Sequence, residues 1–114
     1  LLKTNLVKPI KVRKSVLSLP RDTLLIKNTK HKFRTYFSAQ RISVDEKSRM
    51  HNFFDNHKNI RLGPSLMDFF TQYTKNTYLA SNNFIDYTSE QDLFLLQLTS
   101  SVKIKKTFKL INHK

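Results

Sequence analysis

The chain has 114 residues, 21 Lys and Arg against 8 Asp and Glu, a net charge of +13 and no cysteine. That excludes disulfide scaffolds, Cys-ligated zinc modules, iron–sulfur sites and thiol nucleophiles, and it limits the chain to one small domain with a modest core. A single glycine, Gly63, leaves no room for a phosphate-cradling P-loop, a dinucleotide fingerprint or the glycine-dependent loop of KH modules.

The first twenty residues carry Lys8, Lys11, Arg13 and Lys14 and no acid. Organellar transit peptides are also basic and acid-poor, but they form amphipathic helices, and Pro9 and Pro20 interrupt one here. The stretch therefore reads as the start of a basic extended arm spanning 1–42, in preference to the remnant of a transit peptide, which stays as the alternative. Within that arm Thr23 to Lys27 (TLLIK) predicts a short strand. In Lys30 to Phe37 the alternation puts Phe33, Thr35 and Phe37 on one side and Lys32, Arg34 and Tyr36 on the other.

A helical body is expected over 43–101. Ser43 three residues before Glu46 makes a capping box, opening a helix from about 44 to 58 with Met50, Phe53, Phe54 and His57 as its apolar stripe. Gly63-Pro64 breaks the chain. Ser65 then caps a helix from about 66 to 80, and Thr88-Ser89-Glu90-Gln91 opens a third from about 89 to 100. The residues Leu93, Phe94, Leu96 and Leu98 make that third helix apolar all round, which predicts a central position. The last segment, 102–114, alternates Val102, Ile104, Phe108 and Leu110 with Lys103, Lys105, Thr107 and Lys109, spoiled by Lys106 on the apolar side. It reads as an extended basic tail, with a strand on a partner's surface as the alternative. The expected fold is thus mainly α: a three-helix body with an extended N-terminal arm and C-terminal tail and one or two short strands.

The charge is uneven. Residues 1–61 hold 15 basic and 4 acidic side chains, 62–102 hold 1 and 4, and 103–114 hold 5 and none. Solubilising charge is usually mixed in sign, whereas runs of one sign repel themselves until a polyanion neutralises them. Candidate RNA-binding residues are Lys8, Lys11, Arg13, Lys14, Lys27, Lys30, Lys32, Arg34, Tyr36, Arg41, Lys103, Lys105, Lys106 and Lys109. Rings among cations at Phe33, Tyr36 and Phe37 are the combination that stacks on unpaired bases, although aromatics at this spacing are more often anchors into a core. No aromatic strand signature of an RRM is present, so shape and backbone readout is expected.

Catalysis is not expected. Asp45, Glu46, Asp68, Glu90 and Asp92 read as first-turn helix residues, which leaves Asp22, Asp55 and Asp86 without a paired-carboxylate arrangement. His51 and Asp55 share a helix face with His57 turned away from them, a polar helix edge rather than a metal site. No cofactor, metal or small-molecule substrate is implied, and no run approaches the roughly 18 apolar residues of a membrane span.

Phe, Tyr, Asn, Lys and Ile total 44 residues against 12 for Gly, Ala, Arg and Pro, a bias that points to an AT-rich gene and is common in organellar genomes. The expected function is a structural, non-enzymatic RNA-binding component of a ribonucleoprotein. A ribosomal protein, in a mitochondrial or otherwise a cytoplasmic ribosome, is the favoured version, with rRNA and neighbouring ribosomal proteins as partners. A DNA-binding helix-turn-helix protein and a peripheral subunit of a membrane complex are the alternatives.

Overall fold

The computed structural model describes residues 21–71 and 77–113. In chain order the elements are β1 (Thr23–Lys27), β2 (Phe33–Phe37), β3 (Gln40–Arg41), α1 (Val44–Asp55), β4 (Arg61–Leu62), α2 (Pro64–Thr71), β5 (Tyr78–Leu79), β6 (Phe84–Tyr87), α3 (Glu90–Thr99) and β7 (Ile104–His113). The fold is mixed α/β and not mainly α: a five-stranded sheet in the order β1-β7-β2-β6-β4, three helices, and a two-stranded sheet of β3 and β5. Lys8, Lys11, Arg13 and Lys14 lie outside the described residues.

The expected C-terminal tail is the strand around which the sheet is built. β7 pairs parallel with β1 (Leu24 opposite Leu110) and antiparallel with β2 (Thr35 opposite Thr107). Its broken alternation has a physical cause. Tyr36 faces Lys106 while Phe37 faces Ile104, so Lys105 is an extra residue bulged out of the ladder. One inserted residue exchanges the faces on its two sides. Ile104 therefore turns to the core with Phe37, whereas Lys106, Phe108 and Leu110 turn to the opposite face. Part of the expected arm is sheet as well: β1 and β2 fall where the sequence places them. β1 is bracketed by Asp22 and Asn28, whose φ values of 60° and 56° are left-handed positions that these short polar residues tolerate.

The helices pack on one face of the sheet. Phe37, Ile85 and Tyr87 share a core with Met50, Phe53 and Phe54 of α1, Leu66 and Phe69 of α2, and Leu96 of α3. Within it the Thr35 and Tyr87 hydroxyls lie 2.6 Å apart, and Thr35 reaches the Thr107 hydroxyl at 2.7 Å, tying β6, β2 and β7. Burial pushes the Tyr87 phenol above its ordinary value, so it remains a neutral hydrogen-bonding group.

Two helix starts are capped where the sequence places them, but neither is a reciprocal capping box, since the Glu46 carboxylate turns to Ser100, Ser101 and Arg49 instead of reaching back. Ser43 Oγ accepts from the Glu46 amide at 3.0 Å, and Ser89 Oγ accepts from that of Gln91 at 3.2 Å. Ser65 caps nothing. The Gly63 carbonyl receives the Leu66 and Met67 amides instead, and Ser65 Oγ accepts from Asn82. α2 starts at Pro64, and residues 78 and 79, expected in that helix, form β5. The central position expected for α3 is not found: Leu96 is buried, but Phe94 and Leu98 are 58% and 68% exposed.

Gly63 is fixed by close approach. A Cβ there would sit 2.7 Å from Cε2 of the Phe84 ring and 2.8 Å from its Cζ. Gly63→Ala should therefore displace that ring and cost about 1–3 kcal/mol, by the usual penalty for overpacking. A denaturant midpoint lowered at unchanged slope is the expected readout, and an unchanged midpoint would contradict the contact.

Candidate nucleic-acid interface

Strand parity assigns the side chains of the sheet's second face. In β2 it is Arg34 and Tyr36, in β6 Phe84 and Asp86, in β4 Arg61, and in β7 Lys106 and Phe108. An antiparallel sheet face away from the core is normally polar. Here three half-buried rings adjoin across three neighbouring strands. Tyr36 lies 5.3 Å from Phe84 and 5.9 Å from Phe108, centroid to centroid.

Cations frame the rings. The Arg34 guanidinium stands 4.1 Å over Phe84, and Lys106 Nζ is 5.2 Å from the Phe108 centroid. Arg34 is held by a fork on Asp86, Nε to Oδ1 at 2.7 Å and Nη2 to Oδ2 at 3.0 Å, and Arg61 donates to the same Oδ2 at 3.2 Å. The hydrogen bonds to Asp86 hold the Arg34 guanidinium protonated, above its ordinary value. Asp86 is thus consumed, with its side chain 1% exposed between two arginines. The nearby Asp22 binds Lys106 at 2.8 Å, and that hydrogen bond lowers its carboxyl below the ordinary value.

Beside Arg34 the surface opens into a cleft of about 450 Å³, lined by Lys27, Lys30, His31, Arg61 and Asp86 among others. His31 is buried, and its Nδ1 has no hydrogen-bond partner among the described residues. Burial is the main cause that pushes its imidazole below the ordinary value, against the pull of Asp86.

The fold gathers some of the candidate residues and scatters others. Arg34, Tyr36 and Lys106 meet on the open face, with Lys27 and Lys30 at the adjoining cleft. Lys32 and Lys109 border a second groove with Arg21, Phe33 and Glu90, which Phe108 also lines. Arg41, at the end of β3, points its guanidinium at Tyr78 from 5.8 Å. Lys103 is tied through its backbone to the Gln40 amide, and Lys105 is the exposed bulge residue. Phe33 and Phe37, grouped with Tyr36 in the sequence, turn to the helical side, where Phe33 stacks on Tyr87 at 5.5 Å. Sequence reasoning missed Phe84, Phe108 and Arg61. The signal for Phe84 lay in Phe-Ile-Asp-Tyr, where it shares strand parity with a carboxylate and not with the apolar pair.

Among the described residues no group of three or more His, Cys, Asp or Glu is placed to hold a metal ion. His51 and Asp55 are 3.9 Å apart and half-exposed, while His57 stacks on Phe53 at 4.0 Å. No described helix is long and apolar enough to cross a membrane. The two helices of the DNA-binding alternative, α2 and α3, are separated by β5 and β6 and are not joined by a tight turn.

No family model, curated protein or solved structure matches the chain.

Proposed function

We propose that this protein is a structural RNA-binding component of a ribonucleoprotein, with a ribosome, and first a mitochondrial one, as the assembly. The observation that carries the reading is the set of exposed lysines that no acid pairs with, while several acids are held by other partners. Asp86 is sandwiched by two arginines, Asp22 binds Lys106, Glu46 binds Arg49, and Asp92 is buried against Asn59. Among the described residues no ion pair reaches Lys27, Lys30, Lys32, Lys103, Lys105 or Lys109, all of them exposed. Cations left uncompensated on several surfaces favour a polyanion that wraps the body and releases counterions as it is neutralised. The composition bias toward AT-rich codons supports the organellar version.

Sedimentation of the endogenous protein through a gradient at moderate salt, with and without RNase, tests this reading. Migration with a ribosomal subunit, collapsing to the top of the gradient after RNase, is the expected result. Migration indifferent to RNase would overturn it in favour of a protein or membrane assembly.

A further inference from the structure

The open face of the five-stranded sheet bears aromatic rings where water-facing strands normally carry polar side chains. Tyr36 is the middle ring, between Phe84 and Phe108. Phe84 carries the Arg34 guanidinium at 4.1 Å, and Lys106 stands farther from Phe108, at 5.2 Å, which leaves the half-buried Tyr36 and Phe108 as the rings a ligand can meet. The three helices share their core with the other face of the sheet.

Charge selects the occupant. An acidic peptide would satisfy the cations and leave the rings unmatched, and an apolar peptide would do the reverse. A nucleic-acid strand offers both a π-face and a phosphate in each repeat unit. The bases must be unpaired, because in a duplex they are stacked on each other and unavailable to a ring projecting from a sheet. The phosphate has a place beside the rings. Arg34 lies over Phe84 and also lines the cleft that holds Lys27, Lys30 and Arg61, so ring platform and cationic cleft are contiguous. The cleft also contains the buried His31, whose Nδ1 has no hydrogen-bond partner among the described residues.

We propose that this face binds single-stranded RNA, stacking one base on Tyr36 and another on Phe108, whose planes stand at 85° to each other, while Lys27, Lys30 and Arg61 hold an adjoining phosphate. This rests on the ribonucleoprotein reading and adds to it the form of RNA and the residues that take it.

The test titrates the purified full chain with fluorescent oligouridylate, with inorganic polyphosphate of matched charge, and with an RNA duplex, at one salt concentration. Tyr36→Leu and Phe108→Leu should each weaken oligouridylate binding roughly ten-fold, the scale of losing one base–ring stack. Both should leave polyphosphate affinity unchanged. Tyr36→Trp should retain binding, and a double variant Lys27→Glu/Lys30→Glu should weaken both ligands. Circular dichroism melts identify any variant that fails to fold, and Tyr36→Trp then carries the comparison through quenching of its indole fluorescence by oligouridylate. Wild-type affinity in both leucine variants, or no quenching of the indole, would overturn stacking. Equal affinity for duplex and oligouridylate would also overturn it while sparing the ribonucleoprotein reading. Failure to bind any of the three ligands would defeat both, and polyglutamate displacing the RNA at equal charge concentration would reassign the face to an acidic protein.

Discussion

Replacing Asp86 with Ala should destabilise the protein by about 3–5 kcal/mol, the range seen when one partner of a buried ion pair is removed. Its side chain is 1% exposed and that of Arg34 13%, so the truncation strands a guanidinium in a place that water barely reaches. The fork from Arg34 and the third bond from Arg61 join β2, β6 and β4 across the open face, and all three would be lost together. Arg61→Ala should cost far less, because that side chain is 56% exposed and can be replaced by solvent. A paired change, Arg34→Met with Asp86→Leu, should recover most of the loss, since removing both charges leaves neither uncompensated. Urea unfolding of the four proteins measures the series. A loss no larger for Asp86→Ala than for Arg61→Ala would contradict the geometry.

The second large effect is at Glu46, the buried acid of α1. One carboxylate oxygen receives the Ser100 hydroxyl, the Ser101 amide and the Ser101 hydroxyl, and the other receives Arg49 at 2.7 Å. The contacts lock the first turn of α1 to the junction between α3 and β7, where Ser100 is buried. Burial alone would raise this carboxyl, but the hydrogen bonds outweigh it and hold the group below its ordinary value of 4.5. Because the folded state binds the proton more weakly than the unfolded state, the contribution is fully present above about pH 4.5 and is lost as pH falls through the lower folded value. Glu46→Gln should cost about 2–3 kcal/mol near neutrality, the worth of charged hydrogen bonds replaced by weaker ones. That deficit should shrink toward pH 3. Unfolding curves for both proteins between pH 7 and 3 check the sign: a deficit that grows on acidification would contradict it.

Local patterns in the sequence carried local structure. TLLIK and the alternation through Phe37 located β1 and β2, Ser43 and Ser89 marked two helix starts, and Met50, Phe53 and Phe54 marked the buried stripe of α1. What could not be read was pairing over long separations. β7 owes its place to β1 and β2, more than sixty residues away, and its bulge at Lys105 broke the alternation at Lys106, so the sequence suggested an extended segment without its partners or its faces. The same bulge concealed the site. Read without it, Phe108 belongs with Ile104 in a core; with it, Phe108 stands beside Tyr36 among cations. The apolar composition of α3 likewise says that it is sticky, but not that Phe94 and Leu98 face outward. The basic residues were legible as a population, and only the fold divides them between the open face, the groove beside Phe33 and the rim near Gln40.

The place where RNA touches the chain is the most direct thing to measure. Ultraviolet crosslinking of the endogenous particle, followed by mass spectrometry of nucleotide-bearing peptides, reads that contact without any variant. Adducts are expected on the β2 and β7 peptides, at Tyr36 and Phe108. Adducts confined to peptides of the three helices, with none on either strand, would contradict that placement.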